Sequence, residues 1–227
     1  MIERMALVTG ASSGIGQAVV DRLLNEGWHV TGLSRSAISR AEAGWQSHQI
    51  DISDSAALQA LLDALPVPQA VIHAAGMMQA APLGELDLSA SARLWQLHVA
   101  AAEQLANHFA PRMRAGGRIV LLGSRTSGGA AGRSQYVATK SAMIGMVRSW
   151  AAELAPRGIT ANIVAPGATE TPMLQQPGRA SSPPRLPPIG RYIQPQEVAG
   201  LVDFLLSSAA AAITGQQLVM CGGASLS

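Results

Sequence analysis

Tyr136 and Lys140 stand four residues apart in a stretch with helical spacing, so on a helix they share one face. A free tyrosine titrates near ~10, too high for efficient proton exchange at neutral pH. A lysine ammonium close to the phenol favours the phenolate and lowers that value. Such a pair can give a proton to a carbonyl oxygen or take one from an alcohol. Ser124 lies twelve residues upstream of Tyr136, at the carboxyl end of the apolar run that closes at Leu122. Its hydroxyl could hydrogen-bond the same substrate oxygen and fix its position. The plainer alternative is that Tyr136 and Lys140 are ordinary residues of an amphipathic helix.

A second segment is suited to an anion. Thr9-Gly10-Ala11-Ser12-Ser13-Gly14-Ile15-Gly16 sits where a short apolar run beginning at Met5 gives way to helical spacing at Ile15, Val19 and Leu23. Glycines there permit a tight turn, let backbone approach a pyrophosphate, and let helix pack on strand. The helix start adds free N–H groups and the positive end of its dipole. A bare glycine-rich turn would look the same in isolation. Here the motif heads a chain that goes on alternating strand and helix, which is the context the phosphate reading requires.

Those groups need elements to position them. The spacing predicts strands over 5–9, 28–33, 47–50, 69–74, 118–122, 159–164 and 216–220. It predicts helices over 15–24, 55–65, 89–113, 134–155 and 194–206, with Gly27 capping the first and Pro66 stopping the second. The alternation implies an α/β fold: a doubly wound, Rossmann-type, parallel seven-stranded sheet with helices on both faces, as a single domain over 1–227. The 227 residues are 48% hydrophobic and 13% charged, ample for a core covered on two faces and contrary to disorder. The net charge is +2 without a run of five like charges, so neither a nucleic acid nor a membrane surface is an expected partner. Cys221 is the only cysteine, which excludes an internal disulfide and a cysteine-based zinc site, and no metal is expected. With neither a signal peptide nor an apolar run of membrane-spanning length, the expected location is cytoplasmic. Six prolines between 172 and 188, with Gly178, Ser181 and Ser182 among them, erase all periodicity. Residues 172–192 are therefore expected to form a loop covering a substrate pocket.

Taken in order, these motifs resemble the short-chain dehydrogenase/reductase superfamily, in its compact single-domain branch. Thr9 and the Gly10, Gly14, Gly16 triplet match its first turn, and His73-Ala74-Ala75-Gly76 its Asn-Asn-Ala-Gly element. Tyr136-Val-Ala-Thr-Lys140 with Ser124 matches its Tyr-x-x-x-Lys site; Pro166-Gly167-Ala-Thr169-Glu-Thr171 matches the stretch that covers the nicotinamide; Gly215-Gln216 and Gly222-Gly223 match its close. The resemblance implies hydride transfer between a carbonyl and a secondary alcohol on a small-molecule substrate. It makes Ser124, Tyr136 and Lys140 catalytic, Lys140 also binding the nicotinamide ribose. The implied cofactor contacts are Gly10, Ser12, Ser13, Gly14, Ile15, Gly16, Ser34, Arg35, Asp51, Ile52, Ala74, Ala75, Gly76, Tyr136, Lys140, Pro166, Gly167, Thr169 and Thr171. Asp51 would accept from the adenine amino group. The stretch Ala165–Met173 is similar to 3-oxoacyl-carrier-protein reductases, and relatives with other substrates share it.

The chain departs from the family pattern in places. His98 takes the position of a helix asparagine that supports a water path to the lysine; it either holds that water, adding a group that titrates near neutral pH, or merely packs the helix. His73 and Ala74 replace two asparagines, so side-chain hydrogen bonds are expected to be lost there. The Ser124–Tyr136 interval is one residue short, a deletion that Gly128, Gly129 and Gly132 should absorb, and Cys221 replaces a common aspartate.

Ser34-Arg35 ends the second strand where NAD-preferring relatives place an acid. Without that carboxylate, arginine can grip a 2′-phosphate in a charge-assisted fork, so NADP is preferred over NAD, with Arg40 as a rival phosphate partner. Arg179, Arg185 and Arg191 in or beside the proline-rich loop are either surface residues or binders of an acidic group; Arg125, next to Ser124, is nearer the chemistry. The two long helices resemble the family's dimer faces, and Ala138, Ser141, Ala142 and Gly145 would allow close approach in a homodimer or homotetramer. The alternative to an enzyme is a non-catalytic NADP-binding regulator or scaffold of the same fold. A nucleotide-sugar dehydratase or epimerase would need a further substrate domain.

Overall fold

The computed structural model describes residues 4–175 and 182–226. Its strands are β1 (Met5–Thr9), β2 (His29–Ser34), β3 (Trp45–Gln49), β4 (Ala70–His73), β5 (Arg118–Leu122), β6 (Thr160–Pro166) and β7 (Gln217–Met220). They form one seven-stranded sheet in the order β3-β2-β1-β4-β5-β6-β7, with every neighbouring pair parallel. Chain order reverses between β1 and β4, the switch point where open α/β sheets bind ligands beyond their carboxyl ends.

Helices cover both faces: α1 (Gly14–Asn25), α2 (Ser55–Ala64), α3 (Leu88–Trp95), α4 (Ala101–Phe109), α5 (Ser134–Leu154) and α6 (Pro195–Leu206). The strands read as apolar runs because successive side chains enter two different cores. On β1 and β5, Leu7, Ile119 and Leu121 pack beneath α2, α4 and α5. Ala6, Val8, Val120 and Leu122 pack beneath α1 and α6. On α5 the inward positions Tyr136, Lys140, Met143, Val147, Ala151 and Leu154 recur at helical spacing, so the reactive pair is carried on the buried stripe.

Helix ends follow the sequence. Gly27 has φ 75° and donates to the Leu24 carbonyl at 2.9 Å, while Trp28 donates to Leu23 at 2.9 Å, closing α1 as a left-handed glycine cap. Pro195 opens α6 beneath a capping box of Gln194 and Glu197.

Two elements differ from the sequence expectation. β3 begins at Trp45 rather than Ser47, because this edge strand is half exposed and shows no apolar run; its Trp45 ring fills the space above Gly32, where a Cβ would collide with it. The helix expected over 89–113 is continuous in path but changes type: α3 passes through a π-turn at Gln96–Ala100 into α4 and a 3-10 turn at Ala110–Arg112. Such a bulge leaves no mark on residue spacing and is frequent at functional sites.

Candidate active site

The turn after β1 is built around missing side chains. Gly10 has φ +69°, and a Cβ there would stand 2.8 Å from the Ala75 backbone; one on Gly16 would collide with the Gly10 carbonyl. Gly14 (φ +56°) lies against the Thr171 methyl, 3.1 Å from where its Cβ would be. Ser13 is the N-cap of α1 and makes no side-chain capping bond, so the first-turn N–H groups remain available. Thr9 ties this turn to the next: its Oγ1 accepts from the Ala75 N–H at 3.0 Å and pairs with His73 Nδ1 at 3.0 Å. The side-chain hydrogen bonding expected to be lost at His73 is therefore present, carried by the imidazole. His73 Nε2 has no hydrogen-bond partner of good geometry, although the Leu97 backbone lies close enough to favour a proton there.

Ser124, Tyr136 and Lys140 come together in one cavity of ≈ 750 Å³ at the carboxyl ends of the strands. Ser124 follows β5; its Oγ accepts from the Thr126 N–H at 3.1 Å and shares a 2.9 Å hydrogen bond with the Thr126 hydroxyl. Lys140, 4% exposed, donates from Nζ to the Leu122 carbonyl at 2.7 Å, and Nζ lies 5.9 Å from the centre of the Tyr136 ring. Burial pushes its pKa down to about 7. Ile15, Ala74, Gly76, Pro166, Gly167, Thr169 and Thr171 line the same space, so five separate segments named from the sequence meet there.

The remaining expected cofactor residues lie outside this cavity. Gly10 donates to the Leu33 carbonyl at 2.8 Å, which brings the glycine turn beside Ser34-Arg35 at the end of β2. The Ser34 hydroxyl donates to the Ser36 carbonyl at 2.6 Å; Arg35 is exposed, its carbonyl accepting from Gln49 Nε2 at 3.1 Å and its guanidinium making no ion pair or hydrogen bond among the described residues. Arg40 is no rival for a phosphate, since it pairs with Asp21 at 2.5 Å and lies over Trp45. Asp51 accepts from the Ser53 hydroxyl and N–H, which hold its carboxyl below the usual range with help from the nearby Arg35 charge. The Ile52 side chain is buried in the core, so only its backbone is free to face a ligand.

His98 sits in the π-turn, fully buried and edge-on to Tyr136 at 5.7 Å. Its Nε2 accepts from the Met77 N–H at 3.0 Å, and its Nδ1 bonds Thr139 Oγ1 at 2.9 Å. Because Thr139 gives its own proton to the Tyr136 carbonyl, the network assigns the imidazole proton to Nδ1. Burial, reinforced by the Lys140 and His73 charges, pushes the pKa of His98 well below its ordinary value. The expectation of a group titrating near neutral pH is thus corrected: both nitrogens are satisfied only in the neutral form. Arg191 is likewise no anion binder, being held by Glu197 at 2.7 and 2.8 Å outside the cavity; Arg179 lies outside the described residues. Thr126, Thr139, Met77, Met78 and Arg133 also shape the site, and no spacing in the sequence marks them.

Fold and cleft together define a dinucleotide-dependent oxidoreductase as the class. Residues 10–225 match the family model described as Enoyl-(Acyl carrier protein) reductase. The chain is 33% identical over 236 residues to the 3-oxoacyl-[acyl-carrier-protein] reductase FabG of Escherichia coli, covering 97% of this chain and 96% of that one. It is 33% identical over 240 residues to cis-4-hydroxycyclohexanecarboxylate dehydrogenase of Sinomonas cyclohexanicum, covering 97% and 96%. A short chain dehydrogenase family protein from Francisella tularensis has the same fold, with a TM-score of 0.91 at 26% identity over 99% of this chain and 100% of that one. The chain belongs to the short-chain dehydrogenase/reductase superfamily and is an NAD(P)-dependent oxidoreductase.

Proposed function

We propose that the protein is an NADP(H)-preferring oxidoreductase that interconverts a carbonyl and a secondary alcohol, with Tyr136 as its acid/base. The observation that carries this reading is the buried Lys140 Nζ, 5.9 Å from the Tyr136 ring, in one cavity with Ser124. The residues fit a dinucleotide: Gly10, Gly14 and Gly16 leave a cradle that side chains would fill, at the uncapped start of α1. Bound nicotinamide would supply or accept the hydride. Ser124 would donate a hydrogen bond to the substrate oxygen and fix it beside the phenol. Tyr136 would give its proton to that oxygen in reduction and recover it in oxidation, and the Lys140 ammonium would stabilise the phenolate left behind.

The NADP preference is supported by Arg35, exposed and unpaired among the described residues, and by a serine where a carboxylate would repel a 2′-phosphate. Asp51 keeps one carboxylate oxygen free for an adenine amino group. Pro183, Pro184, Leu186, Pro187 and Pro188 line the cavity, which supports the described parts of 172–192 as its cover within a single domain; 176–181 lie outside the described residues. Exposed Ala138 and Gly145 on α5 support a homodimer or homotetramer through that face, although Ser141 is turned inward to the Ser127 carbonyl. A cytoplasmic site of action is consistent with the absence, among the described residues, of a helix long and apolar enough to cross a membrane.

Titration with NADPH and NADH, followed by oxidation of the better ligand across carbonyls that include 3-oxoacyl thioesters, tests the reading. Tyr136→Phe is expected to bind NADPH within a few-fold of the parent and to lose at least ~10²-fold in turnover. Tight NADPH binding with no turnover over the whole panel would instead make the protein a non-catalytic NADP-binding regulator.

A further inference from the structure

The charges lining the cavity are of one sign. Arg125, Arg133, Lys140 and Arg185 line it, and among the described residues no Asp or Glu does. Lys140 is committed to the floor beneath Tyr136, and a dinucleotide's phosphates belong at the α1 end, against the glycine turn. Arg125 lies beside the reacting groups, one residue beyond Ser124 on the 3-10 turn that follows β5. It is half-buried, and its one hydrogen bond among the described residues runs from Nη1 to the Ala224 carbonyl at 3.2 Å. No acidic group of the described residues pairs with it. Its other donors have no protein partner among the described residues and are reached by solvent, so a ligand can take them. A ligand carboxylate does so best, since it accepts two parallel bonds from the planar fork.

Resting on the reading above of a carbonyl/alcohol oxidoreductase, we infer that its substrate is an oxo or hydroxy carboxylic acid whose carboxylate is held by Arg125 while Ser124 and Tyr136 hold the reacting oxygen. The remaining wall sets the body of that acid. Met77, Met78, Met173, Leu174 and Leu186 line the cavity, so the carbon skeleton between the two polar ends is apolar. A neutral thioester would leave Arg125 unanswered.

The NADPH-loaded protein is assayed with 2-oxobutanoate, 4-oxopentanoate and 5-oxohexanoate, with their methyl esters, and with a neutral 3-oxoacyl thioester. For at least one chain length kcat/KM for the acid should exceed that for its ester tenfold or more, the range of charge-assisted hydrogen bonds. In Arg125→Met that ratio should fall to near one, and in Arg125→Lys, which keeps the charge and loses the fork, to an intermediate value. Arg191→Met, which removes a surface arginine outside the cavity, should leave the ratio as it was. In parallel, isothermal titration of the NADPH-loaded protein should show cyclohexanecarboxylate binding at least tenfold tighter than cyclohexanecarboxamide, a difference lost in Arg125→Met. Equal use of acid and ester, a preference for the thioester over every acid, or an unchanged ratio in Arg125→Met would overturn the inference. Carboxylate-selective binding without turnover of any carbonyl would overturn the oxidoreductase reading and leave the anion subsite standing.

Discussion

Lys140→Met is expected to end turnover and yet to make the ligand-free protein more stable at neutral pH. Burial lowers the Lys140 pKa from 10.5 to about 7. At 1.36 kcal/mol per pK unit, that depression corresponds to a folding cost of about 5 kcal/mol wherever the ammonium is protonated in both states. Methionine fills similar space without charge but gives up the hydrogen bond to the Leu122 carbonyl, a loss of about 1–3 kcal/mol. The net gain is about 2–4 kcal/mol, which for a chain of this size is about 5–15 °C in Tm. The pH dependence distinguishes this cause from better packing. Between pH 7 and 10.5 the unfolded chain holds a proton that folded Lys140 has released, so parent stability climbs with pH across that window. The cost is full below pH 7 and gone above 10.5. Thermal unfolding of parent and variant without nucleotide, followed by circular dichroism at pH 6, 8 and 10, should show the variant's advantage largest at pH 6 and closing by pH 10. A variant no more stable than the parent at pH 6, or an advantage that does not change with pH, would refute the reasoning.

Two further outcomes follow from residues around this pair. Arg35→Ala should weaken NADPH binding about 10–100-fold while changing NADH affinity far less, as a charge-assisted contact to a 2′-phosphate requires; fluorescence titration with both nucleotides checks it. His98→Leu leaves the Met77 N–H and the Thr139 hydroxyl without their buried partner, at about 1–3 kcal/mol each. It should lower stability in urea by about 2–6 kcal/mol without moving the pH limbs of residual kcat/KM, because the imidazole it removes is neutral throughout; a displaced limb would restore His98 as a titrating group.

The alternation of parallel strands with helices and the meeting of Ile15, Ser124, Tyr136 and Lys140 in one cavity were legible because each depends on local chemistry that leaves a mark. Glycine is required where backbone meets backbone, and the strands alternate between two cores. What the sequence hid depends on contacts across long separations or on backbone detail without a residue signature. The π-turn at Gln96–Ala100 changes only hydrogen-bond register, so 89–113 reads as a plain helix. The role of His98 is set by Met77 and Thr139, 21 and 41 residues away, and neither partner is unusual in type. Arg40 and Arg191 looked available because an ion pair with Asp21 or Glu197 is invisible until the chain is folded. β3 was misplaced because an edge strand with half-exposed polar residues carries no apolar run.

Three basic groups buried at and behind the cavity bear on the proposed partnership of Tyr136 and Lys140. His73 is pushed down to about 3 by burial first and by the Lys140 charge second, and His98 is pushed well below its ordinary value in the same way. Each histidine is held by bonds that suit its neutral form: His73 by the Thr9 hydroxyl, His98 by the Met77 N–H that its bare nitrogen accepts. Lys140 is thus left as the group of the three able to be charged near neutral pH, with a carbonyl and no carboxylate as its partner. On the proposed reading, the anion the protein offers it is the phenolate of Tyr136, which forms as a proton moves to the substrate oxygen in reduction. On that reading, the charge that costs stability in the resting protein is the one that becomes paired when the phenol gives up its proton.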